Sequence, residues 1–135
     1  MSVFSAMNIN ASGLTAERFR MDIISGNIAN QNTTMTESGE AYRRKIAVFN
    51  EYVSEATGSA SGVKAVEVVE DQSELTPVYD PSHPHADETG YYYMPNVDVT
   101  VEMIDLMVAT RAYESNVSAI DASKSMLMSA LEIGR

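Results

Sequence analysis

The sequence predicts a mainly α chain with a small β-rich middle: long helices at the N- and C-terminal ends, and short strands and loops between them. Three observations carry this expectation. Apolar residues recur at alternating steps of three and four near both ends. β-Branched and aromatic residues cluster in the middle, and prolines, glycines and other turn formers concentrate there too. At 135 residues the chain suits one structural unit with a modest core. Two apolar stripes can pack side by side, or both can cover a sheet, and periodicity alone leaves both arrangements open.

The first helix is expected within residues 1–34. From Phe4 its stripe passes through Met7, Ala11, Leu14, Arg18, Met21, Ser25 and Ile28, so two polar members interrupt the seam. Glu17 with Arg20, and Arg18 with Asp22, are spaced for surface ion pairs, each worth roughly 0.2–0.5 kcal/mol. The segment then changes character through Asn27, Asn30, Gln31, Asn32, Thr33 and Thr34. Asparagine tolerates the left-handed conformation that ends many helices, and its amide competes with the backbone for hydrogen bonds, so this exit reads as a helix stop.

Residues 35–97 form the expected middle. Tyr42 to Val53 and Val63 to Val69 read as short strands, with Ile46/Val48 and Val66/Val68 each on one face. GSASG, Gly58 to Gly62, reads as a flexible turn. From Pro77 through DPSHPHADETG to Pro95 the chain is broken by prolines and turn formers. YYYM, Tyr91 to Met94, reads as a packed loop or an interface.

The second helix is expected within residues 98–135. Its stripe is Met103, Leu106, Thr110, Tyr113, Val117, Ile120, Lys124, Leu127 and Leu131, with Thr110 and Lys124 as the exceptions. Asp98 or a near neighbour can cap its start, Glu102 and Asp105 suit the positive end of its dipole, and Gly134 can end it. From Glu102 to Ile133 such a helix would be about 48 Å long at about 1.5 Å per residue.

Composition narrows the function. The net charge of −10 divides as 0 over residues 1–34, −8 over 35–98 and −2 over 99–135. Such an acidic middle repels a phosphate backbone, and its only basic cluster, Arg43-Arg44-Lys45, falls in a strand-like segment, so no nucleic-acid partner is expected. No apolar run is long enough to span a bilayer, and no direct membrane insertion is expected. The start, MSVFSAMNINASGL, lacks the basic and continuous apolar regions of a cleaved signal, so it is expected to remain in the mature protein. The absence of cysteine excludes disulfides, thiolate metal sites and a thiol nucleophile.

The search for chemistry returns little. There is no G-x-S-x-G, no phosphate-binding G-x-x-x-x-G-K-[ST] and no dinucleotide G-x-G-x-x-G. His83 and His85, flanked by Asp80, Asp87 and Glu88, are residue types that hold zinc, but a proline-broken turn does not fix ligand directions. No catalytic, cofactor-binding or metal residue is therefore named and no cofactor is expected. The three Asn-x-Ser/Thr triplets read as chance matches. The nine methionines, three of them on the stripes at Met7, Met21 and Met103, suit either core filling or an adaptable assembly surface. A metal-dependent enzyme centred on the histidines and an adaptor binding another helix remain open from the residues alone.

SGLTAERFRMDIISGNIANQNTT, Ser12 to Thr34, resembles the N-terminal segment shared by bacterial flagellar axial proteins, the rod, hook and hook-associated subunits. The core of the likeness is Asn27, Ile28, Ala29 and Asn30. Met94 to Arg135 looks like the partner segment of that family, with Arg111, Ala112, Tyr113, Glu114 and Asn116 in the expected arrangement. YRRKIAVF at Tyr42 to Phe49 and VYDPSHPHADETGYYYMPNV at Val78 to Val97 are most similar to a proximal-rod subunit. Gly26, where relatives carry asparagine or serine, is a small departure.

That resemblance implies that the terminal helices pair as an antiparallel coiled coil in the inner layer of a tubular rod, with residues 35–97 as an outer domain. It implies a structural protein, not an enzyme, that transmits torque in the basal body within the periplasmic space. Export would use the flagellar type III apparatus without a cleaved signal. The implied partners are other rod proteins, export-gate and basal-body junction proteins, and further copies of the chain. The residues expected in the helix seam or in assembly are Phe4, Met7, Ala11, Leu14, Met21, Ile28, Met103, Leu106, Tyr113, Val117, Ile120, Leu127 and Leu131. Head-to-tail contacts of this kind propagate a helix rather than close a ring.

Overall fold

A computed structural model describes residues 3–53 and 60–134. Two long helices, α1 (Val3–Ala29) and α2 (Val99–Ile133), lie at the ends, and four strands lie between them: β1 (Lys45–Val53), β2 (Ala60–Glu70), β3 (Thr76–Tyr79) and β4 (Tyr91–Met94). The strands form two separate two-stranded sheets, β1 with β2 and β3 with β4. The chain is thus mainly helical with a small β middle. Among the described residues no helix is long and apolar enough to cross a membrane.

Backbone contacts divide the chain into two compact units. The first comprises residues 3–21, 47–53, 60–67 and 107–134, and the second comprises residues 22–46 and 68–106. In the first unit α1 touches both α2 and the β1–β2 sheet. A side chain at Gly13 would lie 2.9 Å from Asn116 Nδ2, and Thr110 Oγ1 lies 3.5 Å from Met21 Sδ. Phe19 meets Phe49 edge-on at 6.4 Å, and Ser12 Oγ accepts the Val63 N–H at 3.0 Å. Gly62 makes that last approach possible: it has φ +136°, and a Cβ there would fall 2.1 Å from Ser12 Oγ.

In the second unit β3 and β4 form an antiparallel hairpin, with Thr76 opposite Met94 and Tyr79 opposite Tyr91. The turn-rich reading of this stretch missed both strands, and YYYM is a strand rather than a loop. Pro77 masked them because proline donates no ladder hydrogen bond, a loss that an edge strand tolerates, and in a two-stranded sheet both strands are edges. The loop 80–90 is ordered by aspartates that copy a backbone turn. Asp80 accepts Ser82 N–H and Oγ–H at 2.9 and 2.6 Å, and Asp87 accepts Thr89 N–H and Oγ1–H at 2.8 and 2.6 Å. Gly90, at φ +83°, closes it against Pro81 and Tyr79.

Other boundaries also shift. The first strand starts at Lys45 rather than Tyr42, and Ala60–Gly62 belongs to β2 rather than to a turn. The rest of that turn lies outside the described residues. α2 begins where Asp98 caps it, with Asp98 Oδ1 accepting the N–H groups of Thr100 and Val101 at 2.8 and 3.3 Å. α1 ends through Asn30, whose amide donates to Gly26 O at 2.8 Å. Among the described residues only glycines take positive φ, so the left-handed asparagine expected at this exit is not used.

Candidate functional site

The core is unusual in what it buries. Its buried apolar residues are few, Ala16, Ile24, Ala41, Tyr42 and Ala109, and three of them are alanines, while the largest fully buried side chains among the described residues are Glu102 and Asn27. Asn27, taken from sequence as part of a helix stop, is 1% exposed two residues before α1 ends. Its Oδ1 accepts the Tyr42 hydroxyl and the Lys45 N–H, both at 2.9 Å. Its Nδ2 donates to Lys45 O at 2.9 Å and to Glu102 Oε2 at 3.0 Å. One amide thereby uses both donors and both acceptor sites, which makes its burial affordable.

Glu102 is 0% exposed and carries a charge, so its burial needs compensation. Arg44 supplies it: Nε donates to Glu102 Oε1, Nη2 lies 3.4 Å from Asp105 Oδ2, and Nη1 lies 3.8 Å from Asp71 Oδ2. The first turn of α2 adds the positive end of a helix dipole, as the sequence suggested for Glu102. Asn96 Oδ1 holds the Arg44 backbone N–H at 2.8 Å, and Asn96 Nδ2 donates to Asp71 O and Ser73 Oγ at 3.1 and 2.8 Å. Burial, and then the negative charges of Glu102 and Glu70, push the Tyr42 phenol above its ordinary value of 10.0, keeping it protonated as the donor to Asn27.

This cluster ties the end of α1, the entry to β1, the exit of β2 and the start of α2 together. Sequence reasoning missed Tyr42, Arg44 and Asn96 as its members. The available signal was a lone basic cluster, Arg43-Arg44-Lys45, in an acidic middle, and two acids spaced three apart on an otherwise uncharged stretch of α2.

That stretch is inverted relative to an ordinary amphipathic helix. Glu102 and Asp105 are the only charged residues between Val99 and Thr110; Glu102 is buried against Arg44, and Asp105, half-exposed, reaches the same guanidinium from the rim. Val101, Met103, Ile104, Met107 and Val108 turn outward, each between 47% and 56% exposed. Farther along α2 the covered positions include Ala109, Tyr113, Asn116, Ile120, Ser123 and Leu127, with Ala112 and Ala119 beside them, and Ser123 bonds back to Ala119 O at 2.8 Å. Leu106, Tyr113, Ile120 and Leu127 therefore lie inward. At alternate positions the covered line sits one residue earlier than the apolar stripe: Glu102, Ala109, Asn116 and Ser123 take the places of Met103, Thr110, Val117 and Lys124. Met103, Val117 and Leu131 are exposed.

On α1, Met7, Leu14, Met21 and Ile28 are half-buried, and Phe4 and Ala11 are exposed. Of the motif residues, Asn27 and Asn30 make the bonds described above, Ile28 is half-buried and Ala29 exposed. Ala112, Tyr113 and Asn116 are half-buried, and Arg111 and Glu114 are exposed. His83 stacks on Tyr92 at 3.9 Å and its Nδ1 accepts the His85 N–H, while His85 Nδ1 lies 2.9 Å from Thr34 Oγ1. Among the described residues no three His, Asp or Glu side chains converge as a metal site requires.

Helical ends that expose apolar surface and share a buried polar clasp define a subunit built for assembly, and the comparisons with known proteins give that class a family. A family model described as "Flagella basal body rod protein" matches residues 7–34, and one described as "Flagellar basal body rod FlgEFG protein C-terminal" matches residues 88–133. The flagellar basal-body rod protein FlgC of Bacillus subtilis (strain 168) is 43% identical, with 100% of both chains covered. FlgC of Borreliella burgdorferi is 40% identical over 98% of both chains, and FlgC of Escherichia coli O6:H1 is 39% identical over 100% of both. The chain belongs to the FlgC family of flagellar basal-body rod proteins.

Proposed function

We propose that the chain is a structural subunit of the proximal rod, polymerising through its terminal helices with other rod proteins and transmitting torque as part of a stiff axial assembly, with no enzymatic role. The observation that carries this reading is the outward face of α2. An uncharged row of Val101, Met103, Ile104, Met107 and Val108 half in water is unfavourable by roughly 25 cal/mol per Å² of apolar area, and a neighbouring subunit removes that cost. The methionines among them adapt to neighbours that are not identical.

In this reading α1 and α2 form an antiparallel coiled coil. The facing of Gly13 by Asn116, and of Met21 by Thr110, supports that direction, since one number rises as the other falls. Residues 1–34 and 98–135 then serve as the axial pair and residues 35–97 as the outer domain. Phe4, Ala11, Met103, Val117 and Leu131, exposed in the isolated chain, act as assembly contacts. Met7, Leu14, Met21, Ile28, Leu106, Tyr113, Ile120 and Leu127 act mainly in the seam. The subunit reaches the periplasmic rod by flagellar type III export without a cleaved signal, and meets rod and export-gate junction proteins there.

The test is complementation of cells lacking the protein with Ile104→Asp plus Val108→Asp. Because both positions face outward, the purified variant should melt like the parent, within the roughly 0.5 kcal/mol typical of surface changes. It should be exported yet build no rod and restore no swimming. Normal swimming would remove α2's outer face from the assembly.

A further inference from the structure

The second unit carries an unpartnered surface that the helix ends do not explain. Strand alternation places Pro77, Tyr79, Tyr91 and Tyr93 on one face of the β3–β4 hairpin and Thr76, Val78, Tyr92 and Met94 on the other. The second face is the better covered, with Val78, Tyr92 and Met94 half-buried. The first leaves Tyr79, Tyr91 and Tyr93 63%, 42% and 48% exposed. At its Pro77–Tyr93 end this aromatic face runs into a groove of about 570 Å³, floored by Met35, Ala41 and Leu75. Glu40 and Glu74 stand among its walls, and its one arginine, Arg43, is tied to Ser73 O at 3.2 Å.

The surface is preformed. His85, which also lines the groove, is held to Thr34, and His83 is stacked on Tyr92 beneath the aromatic face. Tyr79 and Tyr91 brace each other edge-on at 5.1 Å. Apart from Arg43 its charged surroundings are acidic: from Ala65 to Thr110 the chain contains no lysine or arginine, while Glu74, Asp80, Asp87 and Glu88 flank or join the two hairpin strands. The hydrogen bonds that Asp80 and Asp87 accept from Ser82 and Thr89 hold both carboxyls below their ordinary value, so they stay ionised in mild acid.

We propose that this groove and the tyrosine face beside it dock a positively charged segment of a different protein, with its Lys or Arg side chains laid over Tyr93 and Tyr79 and its charges set against Glu40 and Glu74. Guanidinium and ammonium groups are attracted to tyrosine faces and pair with carboxylates, so one residue type satisfies both features of the surface. Another copy of this chain is a poor occupant: its terminal segments have net charges of 0 and −2, and its one basic cluster, Arg43-Arg44-Lys45, is engaged in its own fold, Arg43 with Ser73 O and Arg44 with Glu102 and Asp105. Complementary charge of this kind chiefly sets which partner is accepted and how fast it docks.

The inference does not depend on α2's outer face, and one experiment separates the two. A photo-cross-linking residue replaces Tyr93 in the full chain expressed in cells, and a second strain carries it at Met103 on α2. At Tyr93 the expected product is a segment of another protein whose sequence, read by mass spectrometry, is net positive. Glu40→Lys with Glu74→Lys should lower that yield roughly tenfold and leave the Met103 products unchanged. Cross-links from Tyr93 to an acidic or neutral segment, to a second copy of this chain or to nothing would overturn the proposal, as would a yield indifferent to the charge reversal. Failure of Met103 to reach any rod protein would instead count against the rod reading.

Discussion

The two units hold themselves together by different physics. In the second, a buried amide, a buried carboxylate, a phenol and a guanidinium meet in bonds that each demand a direction. In the first, contacts rest on small residues that let elements approach: among the described residues Ala16, Ala109 and Ser123 are its buried positions, with Gly13 against Asn116. Such packing is shape-dependent but undirected, and around it Met126, Met128, Leu131 and Ile133 stay more than half exposed. A polar clasp specifies register, and a lightly covered helix keeps apolar surface for a neighbour. One chain does both because the two demands fall on different residues.

The largest expected effect tests the clasp. Glu102→Ala leaves Arg44 without its buried partner and one Asn27 donor bond unmade, and should cost about 3 kcal/mol in chemical denaturation, since losing one member of a buried pair strands the other. Arg44 keeps Asp71 and Asp105, so a loss under about 1 kcal/mol would mean that those pairs suffice and the clasp is less directional than its geometry indicates. Next, Ala109→Leu enlarges a residue with 0% exposure in the first unit and should cost about 1–3 kcal/mol by overpacking. A neutral result there would show that the undirected packing simply slides.

Smaller changes sharpen the contrast. Gly26 lies in α1 with nothing within 4 Å of an added Cβ, so Gly26→Ala should stabilise by about 0.5–1 kcal/mol through helix propensity. A raised melting temperature checks it, and a fall would mean that the helix end beside Asn27 needs glycine's freedom. The smallest effect is acid sensitivity of the loop 80–90. Asp80 and Asp87 titrate below the ordinary 3.8, chiefly through the side-chain bonds from Ser82 and Thr89. A lowered folded value contributes stability that is full above 3.8 and lost as pH falls through the folded value. The Ser82 and Thr89 amide signals in NMR should therefore hold steady down to about pH 4 and move only below it. A midpoint above 3.8 would contradict the turn bonds.

What the sequence by itself determined was local. Alternating steps of three and four were enough for two long helices, because the helical period is a property of the backbone. Asp98 was legible as a cap because a cap bonds only to residues two or three ahead, and β1 was legible from Ile46 to Tyr52 by its β-branched and aromatic content. The motif at Asn27 to Asn30 was legible as a family mark, but not as a clasp. The tertiary structure decided which side of α2 faces inward, because an apolar stripe ranks Met103 above Glu102 unless Arg44, 58 residues earlier, is known to be waiting. It also decided that Tyr91 to Met94 is a strand, since Pro77 can sit in a ladder only when its strand is an edge. Pattern reading assigns inside and outside by hydrophobicity alone, whereas here a distant arginine draws Glu102 into the interior and leaves its apolar neighbours on the surface.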